Sequence, residues 1–361
     1  MKIVKIVIIG AGSASFGVNT LATLLREPAL RGSTLALVDL DAKGLALVHR
    51  LADRLNEAWH AGLRIESASD RRSALEGADV VVCAIEVGPR EELWRLDWEV
   101  SLRHGVRQPY AENGGPGGFF HAARNLPPIL DIARDMERVC PRAPLVTVSN
   151  PLPRLCRAVA KYTSITPIGL CHQIGNGYAM AGAALADRLA VEVPSVVLDP
   201  EAPHDPAYWD TKRRFAAQVE ERLDIKAAGL NHFTWMLDVR DRRSGANLYP
   251  DLRARVLRGP PGYEPLTRDM LRLTGYLPVP GDTHLSEYLS YAHNPVTRPW
   301  ERYNLQLYGL GSRRARPRRP VGSDRASRHS GERRPGAVAP GAERGRLRGR
   351  AWHRARCASL P

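Results

Sequence analysis

A chain of 361 residues with 43% hydrophobic content has the length for two domains and a large core, and the make-up of an ordinary soluble globule. Its five cysteines are odd in number and form no CxxC pair, which argues against a disulfide framework, and no apolar run approaches a membrane span. The net charge of +14 does not make a nucleic-acid binder, because fifteen arginines and three acids between Gly311 and Pro361 hold +12 of it and leave the body nearly neutral.

Met1-Lys2-Ile3 runs directly into the β-branched stretch Ile3 to Ile9. That predicts no signal peptide, a cytoplasmic protein with reduced thiols, and a buried parallel strand. The strand ends in Gly10-Ala11-Gly12-Ser13-Ala14-Ser15-Phe16-Gly17, and helical patterning follows from about Val18 to Leu25. A Gly-rich turn between strand and helix lets the backbone approach a pyrophosphate at the helix amino end. Gly10, Gly12, Ser13 and Phe16 are the candidate cofactor contacts, and Ser15 stands where the usual fingerprint has its third glycine. A second strand, Thr34 to Val38, leads to Asp39, 27 residues after Gly12. An acid there reaches the ribose hydroxyls of NAD and repels the extra phosphate of its phosphorylated form. Asp41 competes for that role or is a plain helix N-cap.

The alternation of strand and helix continues. The pattern predicts a helix over Ala42 to Ala58, a strand over Leu63 to Ser67, a short helix over Arg71 to Leu75 and a strand over Val80 to Ile85. Glu86-Val87-Gly88-Pro89-Arg90 closes that strand, and Arg90 is a candidate grip on a ligand hydroxyl or phosphate. A helix over Glu91 to His104 precedes Asn113-Gly114-Gly115-Pro116-Gly117-Gly118-Phe119-Phe120. So many glycines cost backbone entropy, which predicts a loop passing close to cofactor or sugar. A helix over Phe119 to Cys140 and a strand over Leu145 to Val148 lead to Asn150, whose amide suits a sugar hydroxyl or the nicotinamide. A helix over Leu152 to Tyr162 returns to the run Pro167 to Leu170, then Cys171-His172. At the carboxyl end of a buried strand this pair can hold a metal or attack an electrophile.

Beyond Ile174 the pattern loosens. A strand over Val193 to Leu198 and a helix over Pro206 to Leu223 are expected, then Gly229-Leu230-Asn231-His232 and a strand over Met236 to Val239. Gly281-Asp282-Thr283-His284-Leu285-Ser286-Glu287-Tyr288 gathers acid–base groups in one short stretch.

Taken together, these segments resemble glycoside hydrolase family 4, the NAD- and metal-dependent glycosidases. The likeness rests on Gly10-Ala11-Gly12-Ser13, Val87-Gly88 with Arg90, Gly115-Pro116-Gly117-Gly118, Asn150-Pro151, Gly169-Leu170-Cys171-His172, Gly229-Leu230-Asn231-His232 and Gly281-Asp282 with His284 and Glu287, in the family's order. Cys-His in the fifth segment resembles members acting on unphosphorylated α-glycosides. The resemblance implies oxidation of the sugar at C3 by bound NAD, loss of the C2 proton, elimination of the aglycone, addition of water and return of the hydride. It implies Cys171 and His232 as ligands of Mn²⁺ or another divalent metal. It implies Asn150, Arg90 and Asn231 as substrate contacts. It implies Asp282 as an acid–base residue, with His172 and Tyr288 as alternatives.

The fold class that follows is α/β, a Rossmann-like doubly wound parallel sheet with an incomplete α+β substrate domain. Residues 1–175 would bind NAD and residues 176–308 the substrate and metal. Residues 309–361, Arg-rich and without lysine, cannot bury enough apolar surface to fold and read as an out-of-frame tail. The partner is a small oligosaccharide or glycoside, not nucleic acid or a membrane, and the resemblance implies a homodimer or homotetramer were the C-terminus intact. The competing reading is a lactate- or malate-type 2-hydroxy acid dehydrogenase, which shares the cofactor fold but needs no metal.

Overall fold

The computed structural model describes residues 3–12, 17–199, 206–259, 262–305 and 307. The tail from 308 onward lies outside the described residues, as do Ser13 and Phe16.

Six parallel strands form the larger sheet: β1 (Lys5–Ile9), β2 (Thr34–Val38), β3 (Arg64–Ala68), β4 (Val80–Cys83), β5 (Leu145–Thr147) and β6 (Pro167–Gly169). Their order is β3-β2-β1-β4-β5-β6, the doubly wound arrangement expected from the sequence. Successive side chains of a strand point to opposite faces, and the core divides accordingly. Ile6, Ile8, Leu35, Leu37 and Val82 pack with α1 (Gly17–Leu25) and α2 (Ala42–Ala58). Val7, Ile9, Ala36, Val38, Val81 and Cys83 pack on the other face with α3 (Arg71–Leu75), α5 (Gly115–Val139) and α6 (Leu152–Tyr162). In α5 the buried set Ile129, Ile132, Ala133 and Met136 follows the spacing of one helical face. Helix α4 (Arg90–Arg103) lies beside α5. The strand order reverses between β1 and β4, so the crevice over their carboxyl ends is where a ligand fits.

A second core begins with α7 (Ile174–Ala184). It continues through α8 (Ala186–Leu189), α9 (Ser195–Leu198) and α10 (Pro206–Glu220) to an antiparallel sheet of β7 (Leu223–Leu230), β8 (Phe233–Asp241) and β9 (Leu277–Pro278). Helices α11 (Tyr249–Arg258), α12 (Pro265–Thr274), α13 (Asp282–Ser286) and α14 (Pro299–Arg302) complete the described part. The pairing of Leu230 with Phe233 makes Asn231-His232 the two-residue turn of the β7–β8 hairpin.

Three expectations for this half need correction. Val193 to Leu198 is not a strand; its last four residues form the helical turn α9 after Pro194. Short apolar runs do not distinguish the two states by periodicity. The helix from Pro206 ends at Glu220 rather than Leu223, because Leu223 opens β7. The strand expected over four residues spans nine, Phe233–Asp241.

Candidate active site

The turn after β1 is shaped by close approach of backbone to backbone. Gly10 has φ +86°, and a Cβ there would stand 2.6 Å from the carbonyl oxygen of Ala84. Only glycine meets both conditions without strain. The N–H of Gly12 donates to Asp39 Oδ2 at 2.7 Å, and Asp41 N donates to Asp39 Oδ1 at 2.8 Å. Asp39 thus sits at the carboxyl end of β2 with its carboxylate oriented by two amides. Asp41 is the N-cap of α2, accepting from Lys43 N at 3.0 Å.

Cys171 follows β6, and His232 occupies the hairpin turn 61 residues later. Cys171 Sγ and His232 Nε2 lie 3.3 Å apart. Burial pushes the Cys171 thiol up, while a hydrogen bond from the Asn231 side chain works against that. Burial holds the His232 imidazole well below its usual range, and the neighbouring His284 and His172 add to the effect. His232 therefore offers a neutral ring. It stacks on His284 at 4.4 Å between centroids with 20° between planes, and Tyr110 packs on the far ring at 4.5 Å. Burial, with His172 and Lys212, lowers His284 to about 4.

Four buried polar atoms in these residues have no hydrogen-bond partner among the described residues: Gln173 Nε2, Asn231 Oδ1, His232 Nδ1 and His284 Nδ1. Orphaned buried polar atoms are rare and point to a missing ligand or water. A thiol and a neutral imidazole within 3.3 Å are a fitting pair of donors for one divalent transition metal. Among the described residues no group of three or more His, Cys, Asp or Glu side chains could hold a metal.

The remaining candidates divide. Tyr288 Oη donates to the carbonyl oxygen of Asn231 at 2.9 Å, which brings it beside His232 and Cys171. Burial and Glu287 push its phenol far up. His172 is exposed by area, yet desolvation and then Arg213 lower its imidazole. Asp282 is engaged elsewhere: its carboxylate accepts from Leu266 N and Thr267 N, each at 2.7 Å, at the start of α12. Its own N–H donates to Glu264 Oε2 at 2.6 Å. Burial and then the Glu264 charge raise the Asp282 carboxyl strongly. Arg90 is tied to Glu112 and lies 3.8 Å from Glu86, with its guanidinium over Trp94. Asn150 precedes a cis proline and its side chain reaches Glu112.

Sequence reasoning missed a buried polar network around these two residues. His121 bridges Glu86 Oε1 at 3.0 Å and the carbonyl oxygen of Glu112 at 3.1 Å. Asn125 Nδ2 donates to Glu86 and to the carbonyl oxygen of Asn150. The signal present was Glu112-Asn113 immediately before the glycine run. Glu287 was legible only as a member of its segment. Its carboxylate accepts from the N–H groups of Glu112, Asn113 and Gly114 at 3.2, 3.3 and 3.5 Å, just ahead of α5. Burial, then repulsion from Glu112, raises it to about 8. The glycines here admit the chain itself: a Cβ on Gly114 would stand 2.4 Å from the Glu287 carbonyl oxygen, and one on Gly118 would stand 2.4 Å from Asn113.

Residues 5–184 match the model of the family 4 glycosyl hydrolases, and residues 227–324 match the model of the family 4 C-terminal domain. An alpha-glucosidase of Erwinia rhapontici is 36% identical over 253 residues, covering 70% of this chain and 49% of that protein. An alpha-galactosidase of Bacillus subtilis is 32% identical over 289 residues, covering 80% of this chain and 59% of that protein. The chain spans about half the length of such relatives. A 6-phospho-alpha-glucosidase from gut microorganisms, solved in complex with NAD and Mn²⁺, has the same fold with a TM-score of 0.60. It is 19% identical over 87% of this chain and 66% of its own. With both halves matched in order, the chain belongs to family 4 of the glycosyl hydrolases.

Proposed function

We propose that the chain hydrolyses O-glycosidic bonds of unphosphorylated α-glycosides with the help of NAD and a divalent metal such as Mn²⁺. The observation that carries this reading is the approach of Cys171 Sγ to His232 Nε2 at 3.3 Å among orphaned polar atoms. Relatives named as an alpha-glucosidase and an alpha-galactosidase support it, as does a family structure holding NAD and Mn²⁺. In this reading residues 1–175 carry the dinucleotide and 176–308 the sugar. The protein is cytoplasmic, and with an intact carboxyl-terminal region it would assemble as a homodimer or homotetramer. Among the described residues no helix is long and apolar enough to cross a membrane.

When bound, NAD supplies a hydride acceptor and the metal a Lewis acid toward the sugar oxygens. The chain's own groups do the rest. Burial keeps the His232 ring neutral, and Nε2 is the nitrogen that faces Cys171 Sγ, so in the tautomer with its proton on Nδ1 it offers a lone pair there. Cys171 gives up its thiol proton on ligation, and the Asn231 amide donates to the sulfur. Asp39 orients toward ribose hydroxyls, with its own conformation fixed by Gly12 N and Asp41 N. Asn150 and Arg90 border the sugar from the side of Glu112. Of the three acid–base candidates, Tyr288 is the one held next to Cys171 and His232, and because burial keeps its phenol protonated the role open to its Oη is that of proton donor. Asp282 positions α12, and His172 stays at the rim.

A 2-hydroxy acid dehydrogenase needs no metal, and the approach of Cys171 to His232 favours the glycosidase over it. Chelation separates the two readings. Activity on an aryl α-glycoside should vanish with EDTA and return with Mn²⁺; full activity in excess chelator contradicts the metal reading.

A further inference from the structure

Gln173 carries a side-chain amide that the fold leaves half used. It follows Cys171-His172 as the N-cap residue of α7, yet its side chain makes no bond to the helix end. It is only 8% exposed. Its backbone N–H donates to Cys171 Sγ. Its side chain crosses to the hairpin that bears His232, where Oε1 lies 3.3 Å from Thr234 Oγ1. The other end of the amide, Nε2, is buried and has no hydrogen-bond partner among the described residues. A glutamine is mostly an exposed residue, and burying one end of its amide without a partner costs stability.

Thr234 does not remove that cost. A hydroxyl has one proton, and Thr234 Oγ1 faces two acceptors, Gln173 Oε1 and the Leu230 carbonyl oxygen at 2.8 Å. With the proton on the shorter bond, Oε1 lacks a donor, and a half-turn of the amide sets Nε2 against Oγ1 and Oε1 in the buried place. In both settings one end of the amide stays without a partner. A metal cation would satisfy only the oxygen there, and a carboxylate only the nitrogen. A hydroxyl donates and accepts, so it fills the place in both settings. Asn231 Oδ1 and His232 Nδ1, on the hairpin turn, also lack a partner among the described residues. Several unsatisfied groups of both kinds around one metal pair suit a polyhydroxy ligand better than a single ion.

We propose that the Gln173 side-chain amide binds one hydroxyl of the sugar held at Cys171 and His232, and so helps to set which sugar the site accepts. This rests on the glycosidase reading above and adds a specificity-determining residue to its site. Thr234 steers the amide from the hairpin that carries His232, so the hydroxyl contact and the metal donor are held by one turn.

The test uses Gln173→Leu and Gln173→Met, which keep the bulk of the side chain, remove the amide and leave Thr234 its bond to Leu230. Without sugar, both variants should melt no lower than the wild type, because a buried polar group short of a partner gives way to an apolar one. With NAD⁺ and Mn²⁺ present, calorimetry then compares D-glucose and D-galactose with their monodeoxy analogues. One analogue should bind the wild type about fivefold to tenfold more weakly than its parent hexose, the loss of one neutral hydrogen bond. The same analogue should bind both variants as well as the parent does, since the partner of its missing hydroxyl is gone. If every analogue loses the same factor in wild type and variants, as it would were a fixed water in that place, the contact alone is overturned. Melting of both variants well below the wild type also overturns it, because the amide would then be serving the fold. Failure of both hexoses to bind the wild type, with no NAD- and metal-dependent hydrolysis, overturns the glycosidase reading and the contact with it.

Discussion

In the proposed metal site, Cys171 and His232 are two donors with few supporting groups around them. Burial keeps the imidazole neutral, and one amide steadies the sulfur. Removing a donor by Cys171→Ala or His232→Ala should weaken Mn²⁺ binding by on the order of a hundredfold or more, measured by calorimetry. Asn231→Ala, which acts through the sulfur, should cost about tenfold, the usual range for a partner of a ligand. Glu287 is the opposite case, an acid whose protonation the fold governs. Its carboxyl rises from 4.5 to about 8, so the folded state keeps a proton that the unfolded chain releases. The stability this adds is whole below about pH 4.5 and is lost as pH rises through about 8. His284, lowered from 6.5 to about 4, acts with the other sign: its stability is present above 6.5 and lost as pH falls through about 4. Thermal melts should therefore fall off on both sides, and Glu287→Gln should flatten the alkaline side only. A melt of Glu287→Gln that falls as steeply as the wild type above pH 6.5 would contradict this. At this scale the sequence displayed Cys171 and His232, because each stands in a short segment of recognisable type. It did not display the role of Glu287, since its partners are backbone amides more than 170 positions away.

At the scale of elements, the strand-to-helix turn and the hairpin turn carry the site. Gly10→Ala would impose a side chain on a backbone at φ +86° and place its Cβ 2.6 Å from a carbonyl oxygen. That should cost about 2 kcal/mol or more in denaturant unfolding and weaken NAD⁺ binding, since the turn must shift. The parallel-sheet elements were legible because β-branched runs alternate with amphipathic helices, and the bounds Ala42–Ala58, Arg71–Leu75 and Leu152–Tyr162 agree with the pattern. Helix α7 was not legible. Its residues from Gly177 to Gly182 are all buried, so it lacks the polar face that marks a helix in a sequence. The glycine run before α5 was read as room for a ligand. Its glycines also admit the chain itself, Gly114 against Glu287, Gly115 against Gln108 and Gly117 against Ala111, and α5 begins at Gly115 rather than Phe119.

At the scale of the whole molecule, two cores meet around the site. The parallel sheet presents Asp39, Asn150 and Cys171 at strand ends, the β7–β8 turn contributes His232, and α13 with the residues after it contributes His284 and Tyr288. Ligands that bind only the folded chain stabilise it by mass action. NAD⁺ at a hundred times its Kd should add about 2.7 kcal/mol, read as a rise in melting temperature, with NADP⁺ giving less at equal concentration because of Asp39. Equal shifts from both dinucleotides would remove Asp39 from the ribose site. The most direct test of the proposed chemistry is to hydrolyse an α-glycoside in heavy water and examine the released sugar by NMR. Removal and return of a proton at C2 predicts deuterium at that carbon in every turnover. A fully active enzyme whose product carries no deuterium at C2 would contradict it.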